Sequence, residues 1–258
     1  GTASALGKKA VIIHIDIDPA EIGKNIDTTI PVVGDVKLIL KDILDIVKEG
    51  GNSEWNAVVE EQKRRKSAKP CAGSGEQYVN PKYLLSILSE YLPEDAIVCT
   101  EVGQNQIWAA NHYRVRKPKT FITSGGLGTM GYGLPSAIGA KLGRPDVPVV
   151  VVSGDGSFQM SMQELGTISH YGIGVKIILF DNCCLGMVRE LQTNKHGGRY
   201  SQVHLDKNPD FVALARAYGI KGEKINSDAQ VRAALERLAS ENGACLLHCL
   251  VDPMEPTL

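Results

Sequence analysis

The chain lacks several things at once, and each absence closes a class of function. It has no excess of charge: 28 basic side chains stand against 29 acidic ones, a formal net of −1. Nucleic acid and membrane surfaces are therefore not expected as partners. No apolar run approaches the roughly 18 residues that a spanning helix needs. At 43% hydrophobic and 22% charged residues, the composition is that of a soluble globular chain and not of a disordered one. The cysteines, Cys71, Cys99, Cys183, Cys184, Cys245 and Cys249, make no C-x-x-C pair, and the histidines make no H-E-x-x-H, so neither zinc nor dithiol chemistry is signalled. Reduced thiols and a cytoplasmic location follow from that usage. GTASALGKKA has no apolar core of a signal peptide, and it opens abruptly before a strand, as a cut chain would. No internal repeat or low-complexity tract is present.

What is present is an alternation of strand and helix. The run AVIIHIDIDP and the run IPVV at Ile30 to Val33 read as strands. Asp35 then caps a helix whose apolar residues, Val36, Ile39, Leu40, Ile43, Leu44 and Val47, recur at 3.6-residue spacing. Residues 1–50 form the end of one α/β domain, the charged stretch 51–78 a linker, and 79–258 a second domain. In that second domain the strands are expected at Ala96 to Thr100, Thr120 to Thr123, Val147 to Ser153, Val175 to Phe180, Lys221 to Ile225 and Ala244 to Val251. Helices are expected between them, including one from Met160 to Tyr171 capped by Ser161 with Glu164. Strands this uniformly apolar imply a doubly wound parallel six-stranded sheet covered by helices on both faces. Cys245 and Cys249, four apart in ACLLHCLV, would share one strand face as buried thiols.

Such sheets bind ligands beyond the carboxyl ends of their strands. One exit reads VVVVSGDGSFQ, with Asp155 between Gly154 and Gly156 and followed by Ser157. The next strand ends at Asn182, a separation that fits one βαβ unit. A right-handed crossover brings carboxylate and amide oxygen to the same sheet end, half a cage for a hard divalent ion. Mg2+ completes its octahedron with water and phosphate oxygens, so the pair points to a diphosphate-bearing ligand. A G-D-G that is merely a turn is the competing explanation.

The GDG and distant Asn resemble the metal-diphosphate signature of thiamine diphosphate enzymes. TEVGQNQIWAA, SGGLGTMGYGLPSAIGAK, GDGSFQMSMQEL, LGMVRELQ and NPDFVALARAYGIKG resemble, in order and spacing, successive blocks of the acetolactate synthase (acetohydroxyacid synthase) large-subunit family. The resemblance implies thiamine diphosphate and Mg2+ as cofactors. It makes Asp155, Asn182 and the backbone carbonyl of Cys184 the metal ligands. Val102, Gly103 and Gln104 would meet the diphosphate, and Asn105 stands where the family usually has His, which leaves one phosphate contact open. Gly128 and Met130 would meet the aminopyrimidine ring, Met130 as an apolar wedge, although ordinary core packing would also suit it. Leu185, Gly186, Met187 and Val188 would surround the thiazolium, and Met187 and Leu191 the substrate.

HIDIDPAEIGKN and PVVGD resemble the end of that family's central domain, which puts Asp16, Asp35 and Val36 near FAD in the full-length protein. Asp35 as a plain helix cap is the other reading. The implied reaction decarboxylates pyruvate and joins the two-carbon unit to a second 2-keto acid, in branched-chain amino acid biosynthesis. A homodimer or larger homo-oligomer and a regulatory small subunit are the implied partners. The family's proton-relay glutamate comes from a domain that nothing here resembles, so this chain alone is expected to be inactive and carries no catalytic residue of its own. The rivals are another thiamine diphosphate-dependent decarboxylase or carboligase, or a noncatalytic nucleotide-binding or interaction module.

Overall fold

The computed structural model describes residues 7, 10–48, 50–67 and 77–258. Cys71 and the rest of residues 68–76 lie outside the described residues. The chain divides into two compact units, one before residue 70 and one from it onward.

In the first unit β1 (Ile13–Asp16) and β2 (Ile30–Val33) pair in parallel, Asp16 opposite Val33. α1 (Val36–Ile46) follows, and the Asp35 carboxylate accepts from the amides of Lys37 and Leu38, as an N-cap does. α2 (Ser53–Ser67) carries the charged stretch, held along its surface by pairs such as Glu61 with Arg65.

The second unit opens with α3 (Pro81–Tyr91), where Asn80 caps the helix and proline takes a first-turn position that needs no N–H. β3 (Ile97–Thr100), α4 (Gln104–His112), β4 (Phe121–Ile122), α5 (Gly133–Gly143) and β5 (Val149–Gly154) follow. Then come α6 (Asp155–Gln159), α7 (Leu165–Tyr171), β6 (Val175–Asp181), α8 (Gly186–His196) and α9 (Phe211–Ala217). β7 (Lys221–Ile225), α10 (Val231–Ser240) and β8 (Cys245–Leu250) complete it. The sheet is six-stranded and parallel throughout, in the order β4-β3-β5-β6-β8-β7.

Alternate strand residues feed two cores. Val98, Val150, Ile178 and Leu247 pack with α3, α4 and α10, with Cys245 and Cys249 buried on that same face. Cys99, Val151, Ile177 and Leu246 pack with α5, α7 and α9 around Phe158 and Phe211, whose rings meet edge to face. Both faces are thus covered by helices, as the apolar strands imply.

One helix departs from expectation. The stretch from Met160 to Tyr171 is not continuous: α6 begins at the strand exit itself, a 3-10 turn spans Met162–Glu164, and α7 starts at Leu165. Ser161 makes no side-chain cap; its hydroxyl is buried without a partner among the described residues. Met160, 56% exposed, passes close to Gly131, where an added Cβ would fall 3.2 Å from its own.

Candidate functional site

β4 and β5 flank β3 on opposite sides, so the connections leaving β3 and β5 part and open a crevice at their carboxyl ends. A cavity of about 440 Å³ lies there. Val102, Gly103, Gln104 and Asn105 line it from the β3 exit, and Gly128 and Met130 from the loop before α5. Gly154, Asp155, Gly156 and Ser157 come from the β5 exit. Asn182, Cys184, Leu185, Gly186, Met187, Val188 and Leu191 come from the β6 exit and the first turns of α8. Because Gly154 and Phe180 are register partners, Asp155 leaves the sheet opposite Asp181, with Asn182 one residue further on. Trp108 and Phe180, absent from the sequence reading of the site, close its floor as an edge-to-face pair. Asp16, Asp35 and Val36 belong to the first unit.

Two glycines make the close approaches. Gly103 precedes α4 with φ of 135°, a conformation that side chains rarely adopt. At Gly186 a Cβ would fall 1.8 Å from the Gln104 Oε1, so any larger residue there would displace that amide. Gln104 is fully engaged: its amide nitrogen donates to the Glu255 carbonyl at 3.0 Å and the Thr257 hydroxyl at 3.2 Å, and its oxygen accepts from Asn182 Nδ2 at 2.9 Å. Trp108 Nε1 donates to the Pro256 carbonyl at 3.0 Å, so the segment after β8 is fastened to the β3 exit at both residues.

Beside Asp155 stands a second buried carboxylate, Asp181, which ends β6. Asn208 Nδ2 donates to Asp155 Oδ2 at 2.8 Å and to Asp181 Oδ1 at 2.9 Å. His248 Nε2 lies 2.9 Å from the other Asp181 oxygen. Burial, and next the charge of Asp181, push the Asp155 carboxyl up to about 8. Burial acts on Asp181 in the same sense, but hydrogen bonds from His248, Asp155 and the Cys183 amide outweigh it and hold Asp181 below the usual carboxylate range.

The loop bearing Gly128 and Met130 is pinned from beneath by Glu101, which is fully buried. Its carboxylate accepts from the amides of Gly131 at 2.9 Å, Gly133 at 2.7 Å and Leu134 at 3.3 Å. Burial raises the Glu101 pKa and those amides pull against the rise. Asp181, Glu101, Asn208 and His248 were not singled out from the sequence. A charged residue at each strand exit was the available signal for the first two, whereas Asn208 and His248 reach the site only through folding.

The donor set suits a metal diphosphate. Asp155, Asn182 and Cys184 border one cavity, and carboxylate, amide and carbonyl oxygens of the kind they carry are what Mg2+ takes. Asn105, buried at the wall, gives a long 3.4 Å contact to the Val102 carbonyl and leaves its Oδ1 without a partner among the described residues. The start of α8 adds backbone N–H groups, which favour anions.

Residues 101–249 match the family model of the thiamine pyrophosphate enzyme C-terminal TPP binding domain, and residues 1–43 match that of the central domain. The chain belongs to the thiamine pyrophosphate enzymes. It is 44% identical over 96% of its length to a probable acetolactate synthase large subunit of Methanocaldococcus jannaschii, covering 43% of that protein. It is 41% identical over 99% of its length to the acetolactate synthase isozyme 2 large subunit of Escherichia coli (46% of that protein) and 39% identical over 98% to the acetolactate synthase large subunit of Lactococcus lactis (44%). The chain thus spans less than half the length of the curated relatives it matches.

Proposed function

We propose that this chain is the C-terminal part of an acetolactate synthase large subunit, in which it binds the diphosphate of thiamine diphosphate through Mg2+. The observation that carries the reading is the meeting of Asp155, Asn182 and Cys184 with Gly128 and Met130 at one cavity. Thiamine diphosphate, when bound, supplies the carbanion chemistry for decarboxylating pyruvate and joining its two-carbon unit to a second 2-keto acid.

The protein's own residues bind, orient and exclude water. Asp155, Asn182 and the Cys184 carbonyl would hold the cation, and the amides of Val102 to Asn105 and of the α8 start would serve the phosphates. The Gln104 side chain serves by orienting Asn182, since its own donors are spent on the segment after β8. Met130 supplies the apolar wedge, backed by the loop that Glu101 pins. Leu185, Met187, Val188 and Leu191 give the substrate end an apolar wall, which strengthens electrostatics within it. A proton-relay carboxylate is supplied from elsewhere in the full-length enzyme, which assembles as a homo-oligomer with, in our reading, a regulatory small subunit.

The first unit takes part in FAD binding through Asp16, Asp35 and Val36, at the carboxyl end of β1 and β2. Asp35 also caps α1, and one role does not displace the other. The five described cysteines are free thiols, which supports a cytoplasmic enzyme. No helix among the described residues is long and apolar enough to cross a membrane.

Asp155→Ala tests the reading. Calorimetry of thiamine diphosphate with and without Mg2+ should show metal-dependent binding in the parent chain and none in the variant, with the circular dichroism of the fold retained. Unchanged metal-dependent binding would sink the assignment. Product analysis of the full-length protein with pyruvate separates acetolactate synthesis from simple decarboxylation.

A further inference from the structure

Asn208 sits in the loop before α9, 53 residues beyond Asp155, and does not line the cavity, yet it hydrogen-bonds the Asp155 carboxylate. Its amide nevertheless has all of its main hydrogen bonds made within this site. One hydrogen of Nδ2 goes to Asp155 Oδ2 at 2.8 Å and the other to Asp181 Oδ1 at 2.9 Å. Its Oδ1 accepts from Gln159 Nε2 at 3.0 Å, and the same Gln159 nitrogen lies 3.2 Å from the Asp155 carbonyl. The amide therefore cannot rotate without breaking bonds at both ends, and Gln159 decides which way it points. Asp181 is fixed in turn by His248 and by the Cys183 amide at 3.1 Å.

We infer that Asn208 is a positioning residue that holds one oxygen of Asp155 to itself and so makes Asp155 a one-oxygen ligand, selecting a small octahedral cation over a larger one. This inference rests on the metal site of the preceding subsection. The reasoning is geometric. Ca2+ takes six to eight oxygens and accepts both oxygens of a carboxylate, whereas Mg2+ demands near-ideal octahedral geometry and uses one oxygen from each. A carboxylate with one oxygen bound by an amide at 2.8 Å is restrained from turning both oxygens toward an ion. Asn208 also bridges Asp155 to Asp181, which His248 and the Cys183 amide hold in place, so the restraint on Asp155 is anchored to a fixed neighbour.

The test measures selectivity, which loss of general stability would not change. The dissociation constants of Mg2+ and Ca2+ are measured by calorimetry in saturating thiamine diphosphate, for the parent chain, Asn208→Ala and Asn208→Ser. Partners one shell out from a metal ligand typically matter by 10- to 100-fold in affinity, so Asn208→Ala should weaken Mg2+ by about tenfold or more. Ca2+ should weaken much less, and the preference for Mg2+ should shrink severalfold. Asn208→Ser keeps a short donor and should fall between; it serves as the measured variant should Asn208→Ala fail to fold. Equal weakening of both ions, or no change in either, overturns the inference. Asp155→Ala run alongside separates the two levels: if it abolishes metal-dependent binding while the Asn208 variants keep the parent's ion ratio, the metal site stands and the role of Asn208 falls. If the parent chain shows no metal-dependent binding, the metal site falls and the inference with it.

Discussion

The two units are written in the same vocabulary, parallel strands followed by a capped amphipathic helix, yet only one of them closes a core. In the second, Leu84, Leu85 and Leu88 of α3 are fully buried against the sheet. In the first, α1 has no buried residue at all; Leu44 is 75% exposed and Leu40 48%. Periodicity reports that a helix has an apolar face, and it does not report what covers that face. In our reading the cover for α1 is the remainder of a central domain.

That contrast can be broken or sharpened by substitution. The largest effect is expected in the second core: Phe158→Ala should destabilise by about 3–5 kcal/mol in denaturant unfolding, because the ring is fully buried against Phe211. Leu44→Ala, by contrast, should stay within about 0.5 kcal/mol in this chain, and a core-sized loss there would show that α1 is buried after all.

The caps should not follow the contrast, because a cap acts within its own helix. Asp35→Ala and Asn80→Ala each remove a carboxylate or amide oxygen that two backbone amides use, at a cost of about 1 kcal/mol to the respective unit. Helicity and unfolding midpoints of each variant measure it, and a far larger loss at Asn80 would mean that the cap also organises the core.

At the cavity wall the effect falls on selectivity and not on stability: Leu191 is half exposed and lines the cavity at the end we propose for substrate. An extra methyl group in such a pocket is worth about 1–3 kcal/mol when well enclosed, and leucine encloses it poorly. The full-length enzyme should therefore discriminate weakly between pyruvate and 2-ketobutyrate as second substrate, and Leu191→Trp should raise the preference for 2-ketobutyrate. Competition between the two keto acids reads this directly. A strong preference that Leu191→Trp leaves unaltered would remove Leu191 from specificity.

Much of the second unit was legible because its signals are local. Uniform apolar runs marked all six strands to within a residue or two, and glycine beside Asp155 marked the exit where a ligand approaches. The Met160 to Tyr171 stretch differs from its expectation because the Ser161 and Glu164 pattern resembles a capping box by composition alone, whereas the chain runs as α6, a 3-10 turn and α7 with no side-chain cap at Ser161. His248 read as one polar residue in an apolar strand. Its partner Asp181 is 67 residues away and meets it only because β6 and β8 are neighbours.

The sequence by itself determined the elements, the parallel sheet and the residues that face its carboxyl end, because strand propensity, capping and alternation act over a few positions. Tertiary structure alone decided the strand order, which brings Asp155 beside Asp181, and the placement of Asn208 between them. It also decided that Gln104 spends its donors on the segment after β8. Those contacts join residues 27 to 153 positions apart, and hydrogen bonds at such separation are set by the packing of whole layers, which no local pattern encodes.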